Sequence, residues 1–370
     1  MFDISKITGA DLSTEFCGVK LQSPFILSSG PLSYAAEGII KAHQAGAGAV
    51  VTKTIRLSAA INPVNHINLV NKDSLINCEK WADSEPEVWF KREIPMSKAA
   101  GAVVIASVGH TVPEAEALVK DCERAGADFI ELVSYTEDTL IPMLKAAKER
   151  VSIPVICKLS GNWPDPVGTA QKCLNHGADA VSAIDSIGPT LKINIQNARP
   201  AMHSDDGYGW LSGGAIRPIA LRINSEIARQ GCDNLMGVGG VTCAEDVIEY
   251  LMVGAKTVGV HSIVILKGID YLTKLCQDTA SLLKQLGYQT LPSVVGAALP
   301  NFPNEEHLAK LEFNFEARKC SKCKRCAAAC AYDARTFDFP DMNVDKSLCR
   351  SCGLCVSVCP TGALIATMVD

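Results

Sequence analysis

Eight cysteines near the C-terminus constrain this chain more than any other feature. Cys320, Cys323, Cys326 and Cys330 run as C-x2-C-x2-C-x3-C, and Cys349, Cys352, Cys355 and Cys359 repeat the spacing with Pro360 directly behind. In this spacing three close thiolates hold one iron–sulfur cluster, while the fourth of the run crosses to the other. The pattern assigns Cys320, Cys323, Cys326 and Cys359 to one 4Fe-4S cluster and Cys349, Cys352, Cys355 and Cys330 to its neighbour. A disulfide scaffold would call for an oxidising compartment, yet the opening residues MFDISKITGADLSTEF lack a basic stretch followed by an apolar core. Structural zinc takes two well-separated cysteine pairs rather than two triplets each trailed by a fourth. The one departure is Ala331, which follows the first run where Pro is common.

A chain of 370 residues is long for one domain, although α/β barrels exceed 200 residues as a single unit. The expected division is a large domain over 1–300 and a cluster module over 301–370. The other cysteines, among them Cys122, Cys157 and Cys276, are scattered without ligand spacing and read as reduced core thiols of a cytoplasmic protein. A formal charge of -5 with dispersed Lys and Arg offers nucleic acid no basic patch. No apolar run reaches the ~18 to 20 residues that span a bilayer, and no lipidation signal is present, so no membrane partner is expected.

Between residues 25 and 262, short β-branched runs alternate with helix-length segments. Strands are expected at 25–29, 49–54, 103–108, 129–133, 155–159, 180–184, 235–239 and 257–260. Near-continuous apolar strands separated by helices point to a closed parallel sheet buried on both faces, the TIM (β/α)8 barrel. Gly46, Gly126, Gly177 and Gly254 recur where a helix ends and a strand begins, as left-handed C-caps at the barrel bottom. A final helix is expected over 268–286, and NFPN (301–304) reads as the turn into the cluster module. The long insertion from Arg56 to about Ala100, with Trp81, Trp89 and Phe90, is too apolar for disorder and is expected to cover the barrel mouth.

Barrel chemistry sits at the C-terminal strand ends. These carry Ser29 and Gly30, Lys53 and Thr54, His110, Tyr135, Lys158, Asp185 and Ser186, Gly239 and Gly240, and His261 and Ser262. The stretches GVGGVT and GVHS, with LSGGAIRP opening the helix before strand seven, allow backbone N–H groups to approach an anion, so a phosphate site is the physical reading. Lys158 closes an apolar strand, from which it should point into the site; there a cation could stabilise an anionic reduced flavin.

At PFILSSGP (24–31), VVTKT (50–54), LINCEKW (75–81), CKLS (157–160), LSGGAIRPIALR (211–222) and GVGGV (237–241) the chain resembles the dihydroorotate dehydrogenase family, and with the eight-cysteine tail it looks most like the barrel and attached ferredoxin module of dihydropyrimidine dehydrogenases. The resemblance implies an FMN-binding TIM barrel followed by a two-cluster bacterial-type ferredoxin domain. It implies that Ser29, Gly30, Lys53, Thr54, Asn77 and Lys158 line the flavin, with Ser186 beside it. Ser212, Gly213, Gly214, Gly239, Gly240, His261 and Ser262 would hold the phosphate. Asn77, Asp185 and Ser186 would meet the substrate, and a homodimer is implied.

Departures from the family pattern bear on chemistry. After strand four the chain reads ELVSYTED (131–138) and enters a helix at about Thr139, so no residue matches the family's base and Val133 replaces a substrate-binding Asn. After strand six the family's Asn-Thr pair becomes Asp185-Ser186. Lost amide contacts argue against uracil, thymine or dihydroorotate as substrate. Tyr135, His110 and Asp185 remain as candidate proton carriers. The expected reaction is hydride exchange between FMN and a C–C or C=C bond of a small activated substrate. No second nucleotide-binding fold is present, so electrons should pass through two 4Fe-4S clusters to or from a ferredoxin or an NAD(P)H-oxidising flavoprotein. The alternative is an electron-transfer subunit without turnover of its own.

Overall fold

Each apolar run read above as a strand becomes one, and the eight close on themselves. In the computed structural model, which describes residues 7–306 and 310–369, they are β1 (Phe25–Leu27), β2 (Ala49–Val51), β3 (Val104–Gly109), β4 (Phe129–Val133), β5 (Val155–Leu159), β6 (Ala180–Ala183), β7 (Leu235–Val238) and β8 (Thr257–Val260). The opening stretch searched above for a leader lies partly outside the described residues. Neighbouring strands pair parallel, and β8 returns to β1, which leaves the barrel no edge. Strands covered on both faces bury nearly every side chain, which explains their apolar runs.

Helices surround the sheet: α1 (Ala36–Gln44), α2 (Ile94–Ala99), α3 (Val112–Arg124), α4 (Glu137–Lys148), α5 (Pro166–Asn175), α6 (Arg217–Arg229), α7 (Ala244–Met252), α8 (Ser262–Lys267) and α9 (Tyr271–Gln285). The expected final helix is α9, and the short α8 before it was not separated by sequence. Gly46, Gly126, Gly177 and Gly254 end α1, α3, α5 and α7 with φ between 90° and 111°, the left-handed region where a side chain is strained. Among the described residues no helix is long and apolar enough to cross a membrane.

The period of two along each strand sorts the barrel interior into layers. Ile26, Val51, Ile105, Phe129, Ile156 and Met236 form an apolar plug. Phe16, from the N-terminal hairpin of Thr14–Phe16 and Val19–Leu21, packs against Phe129 with ring centroids 6.0 Å apart and closes the bottom. Two residues further along the strands, in the same phase, stand Lys53, Ser107, Glu131, Lys158 and Ser182. A polar layer therefore rests on the apolar plug and faces the mouth.

The insertion after β2 departs from expectation in part. Its first half covers the mouth: Ile67–Asn71 and Ser74–Asn77 join Gly209–Gly213 and Ile187–Thr190 in a four-stranded antiparallel sheet. Its second half does not. Pro86–Val88 and Trp89–Glu93 run into α2, and Trp89 is completely buried, so this segment is the ordinary crossover helix of a βαβ unit.

A division between Asn301 and Phe302 separates a second compact unit. It pairs Lys310–Phe315 with Leu364–Val369 and Arg335–Asp338 with Asp341–Val344, both antiparallel. Two four-residue helices, Arg325–Ala328 and Leu354–Ser357, each carry the third cysteine of a run. The two runs share one backbone track: Lys322 and Ser351 have φ of 59° and 54°, Lys324 and Gly353 of 58° and 76°. The sequence repeat is thus a structural repeat as well.

Candidate active site

A cavity of about 280 Å³ opens at the C-terminal ends of the barrel strands, and every strand end contributes to its lining. Ser29, Gly30, Lys53, Thr54, Asn77, Lys158, Asp185 and Ser186 all line it, as do Ser212, Gly213, Gly239, Gly240, His261 and Ser262. Gly214 does not. Its N–H donates to the Asp73 carbonyl at 3.0 Å, so it shapes the turn behind Gly213 rather than facing the cavity.

The glycine corner is firmly built. Gly239 and Gly240 follow β7 with φ of 128° and 78°. The Tyr250 hydroxyl donates to the Gly239 carbonyl at 2.6 Å, and Thr242 donates to buried Asp246 through both its N–H and its hydroxyl at 2.7 Å. The Ser262 hydroxyl donates to Ser212 Oγ at 2.8 Å, which ties the end of β8 to the covering sheet. His261 lines the same corner. Its Nδ1 lies 2.7 Å from the Ser28 carbonyl, and burial pushes its pKa down to about 4, so a neutral ring faces the cavity and brings no charge to a phosphate. A Cβ on Gly30 would lie 2.4 Å from His261 Nε2, so that close approach admits only glycine.

Both lysines of the polar layer are paired. Lys53 Nζ lies 3.0 Å from Glu79 and 2.5 Å from the Lys80 carbonyl; burial lowers its pKa against the pull of Glu79. Lys158 Nζ lies 3.3 Å from Asp185. Burial opposes its charge, but Asp185 and Glu131 outweigh that and leave its pKa above the usual lysine value. Glu131 is itself buried, and desolvation raises its pKa.

Opposite the glycine corner stands an aromatic wall. The His110 and Tyr135 rings stack with centroids 3.9 Å apart, and Trp81 meets His110 edge-on at 6.1 Å. Arg56 lies over Trp81 at 4.3 Å and grips Glu114, which accepts the His110 N–H at 2.5 Å. Burial, and then the Arg56 charge, bring His110 down to about 4. Ser134, directly after β4, donates its hydroxyl to the Thr136 carbonyl at 2.8 Å.

In the cluster unit, Cys330 lines a small cavity together with Cys349, Cys352 and Cys355. This puts Cys330 beside three cysteines of the second run. Cys326 and Cys355 are buried beside Leu364, and Cys359 packs against the same apolar cluster. All the cysteines are free thiols, which leaves no disulfide scaffold among the described residues.

Comparison with known proteins shows what the chain is similar to. Residues 128–283 match dihydroorotate dehydrogenase, and residues 319–363 match the 4Fe-4S dicluster domain. Over that part of the barrel the chain resembles the dihydroorotate dehydrogenase family, with the dicluster domain behind it. It is 29% identical to the catalytic subunit of dihydroorotate dehydrogenase B (NAD(+)) from Methanothermobacter thermautotrophicus over 78% of this chain and 98% of that one. It is 27% identical to the NAD-dependent dihydropyrimidine dehydrogenase subunit PreA of Escherichia coli K12 over 96% of this chain and 95% of that one. A crystal structure of DHODH from Eimeria tenella in complex with ferulenol superimposes with a TM-score of 0.69 at 17% identity, covering 82% of this chain and 92% of that one, which shows the shared fold. The chain is accordingly a flavoprotein oxidoreductase whose TIM barrel precedes a 4Fe-4S ferredoxin domain.

The geometry also shows what sequence reasoning missed. Glu131 lies inside an apolar strand and gave no periodic signal, although its register with Val133 places it on the inner face. Glu79 and the Arg56–Glu114 pair became visible only through contacts between distant segments.

Proposed function

We propose that this chain is an FMN- and iron–sulfur-dependent oxidoreductase that exchanges hydride between FMN and a C–C or C=C bond of a small activated substrate. Electrons pass through two 4Fe-4S clusters to or from an external donor. The observation that carries the proposal is one cavity that joins a left-handed glycine corner, paired serines and two ion-paired lysines in a chain that also bears the double cysteine run. The residues fit the flavin: glycine backbone at Gly213, Gly239 and Gly240 and polar side chains line an unfilled space. When bound, FMN supplies hydride transfer at its N5.

The chain's own residues do the rest. Gly213, Gly239, Gly240, Ser212 and Ser262 form the phosphate end. Lys53, Lys158, Asn77 and Ser29 bind the ring end, and Thr54, Gly30 and Ser186 shape it. Tyr135 is the best placed of the proton carriers: it lines the cavity, its ring stacks on His110, and a phenol keeps its proton at neutral pH. His110 is neutral there and cannot lend an imidazolium proton, while Asp185 is engaged by Lys158. The Tyr135 ring rests on His110, which holds it at the rim.

Two of the relatives named above are subunits of NAD-dependent enzymes by name, which supports an electron partner that oxidises NAD(P)H; a ferredoxin in that role and a homodimeric chain belong to the proposal. A second reading, an electron-transfer subunit without its own substrate, is favoured by β4: Val133 is apolar and the Ser134 hydroxyl is already engaged, so this rim carries no free base.

Protein purified without oxygen should contain about eight iron atoms and release FMN on denaturation. Its flavin should be reduced rapidly by reduced ferredoxin or a low-potential dye but not by NADH or NADPH. Stoichiometric zinc, release of FAD, or fast bleaching by NADH alone would each overturn part of the proposal. Reoxidation of the reduced flavin by one member of a panel of enones, cyclic imides and enoyl thioesters separates the enzyme from the electron-transfer subunit.

A further inference from the structure

Resting on the functional reading above, we infer that Asp185 tunes the flavin site: its carboxylate offsets the Lys158 charge and makes bound flavin a stronger reductant than an uncompensated lysine would. Lys158 follows Ile156 on the inward face of β5, so its side chain rises from the apolar plug into the polar layer. Its ammonium lies 3.3 Å from Asp185, with the lysine side chain 11% exposed and the carboxylate 43%. The acid is therefore the more open member of the pair, on the same cavity lining as the groups that would meet the flavin.

Asp185 is held in place rather than free to swing away. Its N–H donates to the Leu159 carbonyl at 2.9 Å, and the Ser186 N–H donates to its Oδ1 at 2.8 Å. Glu131, buried below, gives Lys158 a second acidic neighbour. Reduction adds negative charge to a flavin. A cation at the site favours the reduced form and a carboxylate opposes it, more strongly in a cavity than in water. A flavin that yields electrons readily suits their passage from the clusters to an unsaturated substrate, so Asp185 biases the site toward reduction.

The test uses the flavin-loaded full-length protein. Asp185→Asn keeps the shape and the Ser186 hydrogen bond but removes the charge, whereas Asp185→Glu retains the charge. Two measurements report on the field without turnover: the flavin midpoint potential by anaerobic spectroelectrochemistry, and the affinity of the oxidised flavin for sulfite, whose adduct at N5 leaves the ring anionic. Asp185→Asn should shift the potential positive and tighten sulfite binding about tenfold. Asp185→Glu should leave both near the wild-type values. Unchanged potential and sulfite affinity in Asp185→Asn, or a negative shift, overturn the inference alone. A protein that binds no flavin overturns the functional reading and the inference with it.

Discussion

Replacing Gly240 by alanine tests the phosphate corner by itself. Gly240 has φ of 78°, and a Cβ there would lie 2.6 Å from Arg217 Cβ and 2.8 Å from both Arg217 N and the Gly213 carbonyl. The left-handed backbone costs an alanine roughly 1 kcal/mol, and overpacking adds roughly 1 to 3 kcal/mol. Arg217 cannot step aside easily, since its Nε lies 3.1 Å from Asp246 and its guanidinium also pairs with Glu249. The loop itself must move. If about 2 kcal/mol of that strain falls on the bound state, FMN binds ~30-fold more weakly. Apoprotein titrated with FMN and with riboflavin, followed by quenching of flavin fluorescence, measures this directly. Riboflavin lacks the phosphate, so its affinity should change little. An equal loss for both flavins would refute the reasoning, because the damage would then be general; an unchanged FMN affinity would refute it too.

Cys330→Ser should cost the protein about half of roughly eight iron atoms and one of two cluster signals in the reduced protein, with retention of all iron counting against crossover. The fold keeps His261 neutral to about pH 4 while the unfolded chain protonates near 6.5, so its contribution to stability is full above pH 6.5 and is lost as pH falls toward 4. His261→Gln should therefore flatten the fall in denaturant stability between pH 7 and 5 by up to ~1.4 kcal/mol per pH unit, and an identical slope would contradict this. Uracil should reoxidise the reduced wild-type flavin poorly, while Val133→Asn combined with Asp185→Asn should restore at least about tenfold of that rate, at roughly 1 kcal/mol for each recovered hydrogen bond. Efficient turnover of uracil by the unmodified protein would remove the argument from Val133.

What could be read without coordinates follows from how local each signal is. β4, β5 and β8 were legible to the residue because parallel strands buried on both faces need uninterrupted apolar runs, and the capping glycines marked where each helix must stop. The covering sheet was not legible. Ser74–Asn77 and Gly209–Gly213 are short and partly polar, and only their mutual pairing across more than a hundred residues makes either a strand. The motif LSGG was noticed for its glycines, yet its first three residues are sheet. Trp89 was misjudged for a related reason: an aromatic in a long insertion suggests a lid, but the helical spacing from Pro86 onward buries it in the core. At the site, single residues such as Lys158 could be placed by strand phase, whereas the companions that determine its charge come from other strands.

The matched left-handed residues in the tail carry a cost that this unit cannot meet by burial. Lys322, Lys324 and Ser351 are not glycines, and each should be strained by roughly 1 kcal/mol in that conformation. The apolar cluster of this unit is small, with Cys326, Cys355 and Leu364 as its buried members. Bonds from sulfur to iron would then supply the cohesion that side-chain packing supplies in the barrel. Iron and sulfide supply would govern whether this segment folds at all, so a cell short of either would accumulate intact barrels without a folded cluster unit.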